Sequence, residues 1–364
     1  MDAQGRKPTI TTVAERAGVA VSTVSRVLNG GYVSDTARER VRRVIEELGY
    51  VPSATARNLS LGRQGSIGVV VESSQDLWFM QLLGGIEEEL SERHLSLMLA
   101  SLALRGRYDA TTVAAWIRER RVDGLVFARS LRRERPLLLA AAEAKLPFVA
   151  IGPDEPVRHG HVVRCDNFGA GALVADHLAR LGHTRVAFAG GPRDSVDTGD
   201  RLCGLREGLL AHRIRIKTEW VTFCRSYAPQ AGEEYALRFL TRRPGVTAVV
   251  LGNDALALGF MRQLQQRGLV IPRDLSIVGF DGVPEGARVL PALTTVTQPM
   301  REMGRAACRR LLTEIEAPGA ERPSTIEYRM DLLVRESTGA APQRPARPGR
   351  LPRVAAGEGR GRPE

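Results

Sequence analysis

The feature that most constrains the fold is a change of hydrophobic period near residue 65. Before it, apolar residues recur at helical spacing. From Ser66 on, short apolar runs alternate with amphipathic stretches for some 270 residues. Strand–helix alternation of this length builds parallel sheets with helices on both faces. A chain of 364 residues also exceeds one ordinary core. With no sign of a closed eightfold barrel, the pattern predicts two doubly wound lobes behind a small helical domain. A hinged pair of such lobes places a ligand cleft between them, at the carboxyl ends of the strands.

The spacing predicts helices over 10–17, 21–29 and 35–48. Ser34 occupies the N-cap position of the third, and Gly49 lies where the chain must leave it left-handed. Val41, Val44, Ile45 and Leu48 fall on one face of that helix, opposite Arg38, Arg42 and Glu46. Strands are expected at 67–71, 95–100, 124–127, 148–151, 186–189, 248–251 and 276–280, with helices such as 80–93 and 169–181 between them.

The net charge of +11 is concentrated at the ends. Residues 1–63 hold ten Lys/Arg against six Asp/Glu, and residues 341–364 hold six Arg against two Glu, so each carries +4 and the long middle only +3. Such a distribution suits a polyanion reached through the termini. Cys165, Cys203, Cys224 and Cys308 form no CxxC pair, which fits a reducing cytoplasm and neither a disulfide framework nor a zinc site. No apolar run approaches the roughly 20 residues needed to cross a bilayer. The polar start, Met1 to Pro8, lacks the apolar core of a signal peptide. A cytoplasmic protein with no membrane partner is expected.

Within residues 10–29 the residue types meet the needs of a helix-turn-helix. Ala14 is small where two helices cross, and Gly18 can take the positive φ of a tight turn. Val13, Val19, Val24 and Val27 supply the locking apolar faces. The second helix then offers Val21, Ser22, Ser25, Arg26 and Asn29 on its other side, short polar groups and one Arg suited to a major groove.

The run TITTVAERAGVAVSTVSRVLNGGYVSDTARERVRRVIEELGYVPSATARNLSLGRQGSIGVVV resembles the lac-repressor family of bacterial regulators. The likeness continues through LGHTRVAFAGG, RLCGLREGL, GNDALALGF, IPRDLSIVGFDG and PALTTVTQP, and covers roughly Pro8 to Thr338. It implies an all-α helix-turn-helix domain (8–62, with a hinge helix at 53–60) followed by α/β lobes of periplasmic-binding-protein type (65–338). The N-lobe would comprise about 65–164 and 295–322, the C-lobe about 165–293 and 324–336. By resemblance, Val21, Ser22 and Arg26 read bases, while Thr9, Thr23, Ser25, Asn29 and Tyr32 hold the DNA backbone or its edge. Leu59, flanked by Ala56 and Arg57, matches a leucine wedged into the central minor-groove step. Ala20 departs from the family, which usually caps the recognition helix with Ser there; losing that cap costs about 1 kcal/mol.

For the cleft, the resemblance implies an effector held by Arg201, Asn253 and Asp281, with Tyr227 as an aromatic platform and Trp78 and Phe79 on the facing side. Carboxylate and amide groups bond vicinal hydroxyls while a ring stacks on a sugar's apolar face. Asp281 and Asn253 could instead cap strand ends or turns, Asp166 could cap the helix starting near Gly169, and Trp78 and Phe79 could be packing residues. SQDLWF replaces the family's Asn-Pro-aromatic run, and Gly152 stands where Asp is frequent. The implied partners are a double-stranded operator, a small effector (a sugar or its derivative first) and a second copy of the chain, with no cofactor or metal. Residues 340–364, rich in Pro, Arg, Gly and Ala, read as a disordered basic tail.

A cytoplasmic α/β enzyme, or a sugar-binding protein without operator-specific DNA binding, is the alternative. It lacks support from motifs: no GxGxxG follows a strand, and there is no P-loop, GxSxG elbow or HExxH. His177 and His183 read as surface or packing residues.

Overall fold

The structure, a computed structural model, describes residues 8–28, 30–51, 63–72, 77–104, 107–128, 134–154, 157, 160–242 and 245–342. It divides at residue 65 into two units.

The first unit holds α1 (Ile10–Ala17), α2 (Val21–Leu28) and α3 (Asp35–Leu48). Val13, Val24 and Val41, one from each helix, are fully buried in a shared core with Ala14, Ala17, Val44 and Leu48. Gly18 ends α1 at φ 62° and Gly49 ends α3 at φ 57°. Ser34 does stand at the N-cap of α3, but its hydroxyl makes no cap bond and pairs with Thr36 Oγ1 at 3.3 Å. The hydroxyl cap lies on α1 instead, where Thr9 and Thr12 bond each other's backbone N–H groups reciprocally.

The second unit begins with β1 (Ser66–Val71), α4 (Leu77–Glu92), β2 (Ser96–Ser101), the short strands β3 (Ala103–Leu104) and β4 (Arg107–Tyr108), and α5 (Thr111–Arg118). β5 (Gly124–Ala128), α6 (Arg135–Glu143), β6 (Phe148–Ile151) and β7 (His161–Cys165) follow. Then come α7 (Asn167–Arg180), β8 (Val186–Gly190), α8 (Val196–Ala211), β9 (Val221–Phe223), α9 (Pro229–Arg242) and β10 (Ala248–Leu251). α10 (Asp254–Gln265), β11 (Ser276–Asp281), α11 (Pro284–Arg288), β12 (Thr294–Thr297), α12 (Met300–Glu316), β13 (Thr325–Tyr328) and β14 (Asp331–Leu333) complete it.

Two six-stranded sheets result, ordered β13-β7-β6-β5-β1-β2 and β14-β12-β11-β10-β8-β9. All their pairings are parallel except β12 with β14. Successive residues of each central strand feed opposite cores: Val69 and Val71 face one, Val70 the other, and Val186 and Phe188 alternate likewise with Ala187 and Ala189. Burial on both faces is why these strands read as unbroken apolar runs.

The chain passes between the lobes after β7, after β12 and between β13 and β14. This corrects the expected boundaries. Residues 294–297 pair with β11 and stay in the C-lobe, while 325–328 pair with β7 and belong to the N-lobe. β12 escapes an apolar reading because its sequence is TTVT, yet Thr294 and Thr295 are fully buried. Their hydroxyls are satisfied by Thr338 and Asp254, which removes the cost of burying them.

Three helix pairs cross closely on these sheets, each with a glycine from both partners. A Cβ on Gly85 of α4 would strike the Arg301 carbonyl, and one on Gly304 of α12 the Leu82 carbonyl. Gly171 and Gly204 do the same for α7 and α8, and Gly232 and Gly259 for α9 and α10. The C-lobe also holds the chain's last described residues: His183, fully buried, bonds Thr247 Oγ1 at 2.9 Å and Gly339 O at 3.1 Å. His177 meets Thr338 Oγ1 at 3.0 Å, and Ala341 N–H donates to Leu181 O at 2.8 Å. The lobe is therefore engaged past residue 340, where the tail was expected to begin.

Two outcomes follow. Gly85→Ala overpacks a backbone crossing and should cost about 1–3 kcal/mol, whereas Gly84→Ala, with nothing within 4 Å of the new methyl, should gain about 0.5–1 kcal/mol; denaturant titration compares them, and equal effects would refute the crossing argument. Burial lowers the pKa of His161, His177 and His183 from the ordinary 6.5. The unfolded chain then binds more protons below that value, so stability is intact above pH 6.5 and falls as pH drops through it. Denaturation at pH 7.5 and 5.5 (roughly a unit either side of the free-histidine value) should show this, with a smaller difference in His183→Asn.

Candidate DNA interface and effector cleft

The turn between α1 and α2 is fixed by backbone. Gly18 N–H donates to Glu15 O at 3.2 Å and Val19 N–H to Ala14 O at 3.1 Å. Thr23 and Val24 then donate to Ala20 O, so the carbonyl at Ala20 starts α2 although its side chain cannot cap. With Val24 fully buried as the anchor, Val21, Ser22 and Arg26 are exposed on the opposite side, and Thr23 and Ser25 are half-buried beside them. Thr9 is exposed at the start of α1. Tyr32 is 94% exposed, an unusual placement for a ring unless it meets a partner.

Sequence reasoning missed how Tyr32 is presented. Arg38 Nη2 donates to Gly31 O at 3.2 Å, and Gly31 N–H donates to Arg26 O at 2.8 Å, so the loop after α2 is stapled to both neighbouring helices. In the sequence Arg38 shows only as one of the polar face of α3. Asn29, Ala56, Arg57 and Leu59 lie outside the described residues.

In the second unit, Arg201 is entirely buried on α8. Its Nε donates to Asn167 Oδ1 at 2.7 Å and its Nη1 to Gly252 O at 2.5 Å. Nη2 lies 3.8 Å from Asp281 Oδ1, and the guanidinium stacks 4.7 Å from the Phe280 ring centroid. Asp281, at the carboxyl end of β11, also accepts from Gln298 Nε2 at 2.5 Å. Arg201 and Asp281 are thus brought together as a buried ion pair, with Nη2 making no hydrogen bond among the described residues.

Asn253 adjoins this group but spends its Oδ1 on Leu256 N–H at 2.9 Å, capping α10. Asp166 likewise caps α7 through Gly169 N–H at 2.7 Å. Tyr227 packs over Gly191, and its hydroxyl meets Ser195 Oγ at 2.9 Å and Thr198 Oγ1 at 2.7 Å, on the first turn of α8. From the N-lobe, Asp154 Oδ1 accepts from Val196 N–H at 3.0 Å, bridging the lobes at the same helix end. Trp78 and Phe79 are placed elsewhere, packed edge to face at 6.0 Å within the N-lobe core. Nearby, burial and the charges of Asp197 and Asp166 raise the Asp200 pKa, so the start of α8 is acid-rich.

One buried residue of this site was not foreseen. Asp254, wholly buried beside Asp281, accepts from Thr295 Oγ1 at 2.6 Å and Val283 N–H at 2.9 Å. Burial first, and then the Asp281 charge, push its pKa well above the carboxylate range, against the pull of those donors. The Asn-Asp pair after an apolar strand was the available signal.

Residues 9–53 match the model of "Bacterial regulatory proteins, lacI family", and residues 175–338 match that of a "Periplasmic binding protein-like domain". The chain is 35% identical to the HTH-type transcriptional regulator CelR of Thermobifida fusca over 91% of its own length and 98% of that protein's. It is 31% identical to the HTH-type transcriptional repressor PurR of Proteus mirabilis, over 92% and 98%. Among solved structures, a lac repressor dimer bound to operator and the anti-inducer ONPF superposes with a TM-score of 0.77 at 25% identity, covering 92% of this chain and 100% of that one. A CelR–cellobiose complex superposes with a TM-score of 0.68 at 32% identity, over 91% and 99%. A helix-turn-helix unit followed by two parallel-sheet lobes is the architecture of these relatives, and the chain belongs to the lacI family of bacterial regulatory proteins as a DNA-binding transcriptional regulator.

Proposed function

We propose that this regulator is a repressor that binds a palindromic operator as a homodimer and answers to a sugar or sugar derivative held between its lobes. The observation that carries the reading is α2, whose buried Val24 locks a helix presenting Val21, Ser22 and Arg26 outward. One helix-turn-helix reads one half-site, so a twofold dimer demands a palindrome. Thr9, Thr23, Ser25, Asn29 and Tyr32 then hold the backbone or groove edge, and Ala56, Arg57 and Leu59 engage the minor groove. The protein acts by binding and not by catalysis, in the cytoplasm where its operator lies. Between the lobes, Arg201, Asn253, Asp281 and Tyr227 receive the effector, while Trp78 and Phe79 serve as core packing residues. The complex of CelR with cellobiose makes cellobiose and its homologues the first sugars to test.

Sequencing of genomic fragments captured by the full-length protein should return a short palindrome beside a few transport or catabolic genes. No enriched motif, even with cell extract added, would refute operator recognition. Arg26→Ala should weaken binding to that site by about 1–3 kcal/mol while sparing random DNA; an equal loss on both would assign Arg26 to phosphate alone. Cellobiose, cellotriose or glucose should shift operator affinity about 5–150-fold, the range of ordinary allosteric coupling. If none of a wider sugar panel moves it, the effector part of the reading fails.

A further inference from the structure

Asp281 has a backbone that its neighbours must enforce. Four other non-glycine residues among those described take positive φ, at 49–63°, within the tolerated left-handed well. Asp281 sits at φ 111°, outside it, and Gly282 follows at φ 74°. Strain of this kind persists only where surrounding groups over-determine it, and it collects at functional sites.

What over-determines it is Asp254. From the first position of α10 its carboxyl group reaches under the turn after β11 and accepts from Val283 N–H at 2.9 Å and from Thr295 Oγ1 of β12 at 2.6 Å, and the same Thr295 hydroxyl accepts from Gly282 N–H at 3.3 Å. β11 makes room for it with Gly279, where any Cβ would collide with Asp254 Oδ1. The pinned turn leaves Asp281 with two distinct tasks. Its carboxylate lies 3.8 Å from Arg201 Nη2 and accepts from Gln298 Nε2, while its backbone oxygen accepts from Gln298 N–H at 3.2 Å. Gln298 stands between β12 and α12, in a segment where the chain crosses from the C-lobe to the N-lobe.

We infer that Asp254 is a positioning residue of the effector site: it holds the 281–283 turn so that one carboxylate, Asp281, faces Arg201 and the interlobe crossover together. The effector then meets a group already tied to the hinge, and its binding is felt at Gln298 without a further moving part. The inference rests on the reading of Asp281 and Arg201 as effector-binding residues, but its test requires neither DNA nor effector.

Hydrogen exchange on the full-length protein compares the wild type with Asp254→Asn, whose amide turns a donor toward donors, and with Thr295→Val, which removes one donor and keeps the shape. Asp254→Asn should speed exchange tenfold or more at Val283 and at Gln298, leaving β8 and β10 unchanged. Thr295→Val should do the same to a smaller degree, and it carries the test if Asp254→Asn fails to fold. Faster exchange at Val283 alone would overturn the inference, since Asp254 would then only cap a turn. A uniform rise through the C-lobe would also overturn it, by showing a merely structural role. Failure of operator capture or of sugar response would leave these exchange patterns as they are, so the two readings fail separately.

Discussion

Close approach of paired helices over parallel sheets is the constraint on which the rest of the second unit depends. At three crossings a glycine from each helix lets one backbone rest on the other's carbonyls: 85 with 304, 171 with 204, and 232 with 259. In the N-lobe this brings α12, which is late in the chain, down beside α4, so the passage between lobes after β12 becomes unavoidable. In the C-lobe it seats α8 against α7 closely enough for Arg201 to reach Asn167 and the carbonyl of Gly252. A methyl at any of these positions would push the helices apart by more than a hydrogen bond tolerates. The polar site is therefore a consequence of how the apolar layers close.

Arg201 shows what that closure demands electrostatically. A guanidinium with no solvent exposure must find its partners inside the protein, and it finds Asn167, Gly252 O, Asp281 and the face of Phe280. Those partners come from the start of α7, the end of β10 and the end of β11, that is, from the carboxyl edge of the C-lobe sheet. The same edge is where doubly wound folds take ligands. Removing one member of so buried a group would leave a charge unpaired, at about 3–5 kcal/mol. A ligand that bonds Asp281 enters this balance directly, since Gln298 already competes for the same carboxylate oxygen.

How much of this was legible in the sequence depended on whether a residue's partner was near or far along the chain. α1 and α3 were readable to the residue because helix period, Gly18 and Gly49 are local signals. β1, β6, β8 and β10 were readable because both faces are buried. β7, β12, β13 and β14 were not: they carry His, Thr, Glu and Asp whose burial or edge position is decided by distant groups such as Ser337, Thr338 and Asp254. The lobe boundaries slipped for the same reason, with 295–297 and 325–328 each assigned to the other lobe. In the site, Arg201 and Asp281 were named and lie together, while Asn253 and Asp166 serve as helix caps, a role the sequence had left open for both. Gln298 and Arg38 gave no local sign, since their bonding partners lie 17 and 7 residues away, and for Asp254 the Asn-Asp pair marked the position but not its partner 41 residues on.

A regulator needs two conformations separated by only a few kcal/mol, because an effector can shift the balance by no more than its preference for one of them. The packing of the lobes is far too costly to disturb at each switching event. One contact that spans the lobes, Asp154 with Val196 N–H, and one at the root of a crossover, Asp281 with Gln298, are of the right size, each worth about 0.5–3 kcal/mol as a single, partly charged hydrogen bond. Rigid lobes joined through such bonds can rock without unpacking. Asp281 belongs to one of these bonds and to the buried Arg201 pair at once. If the proposed effector reading holds, occupancy of the site and the angle between the lobes meet in that single side chain.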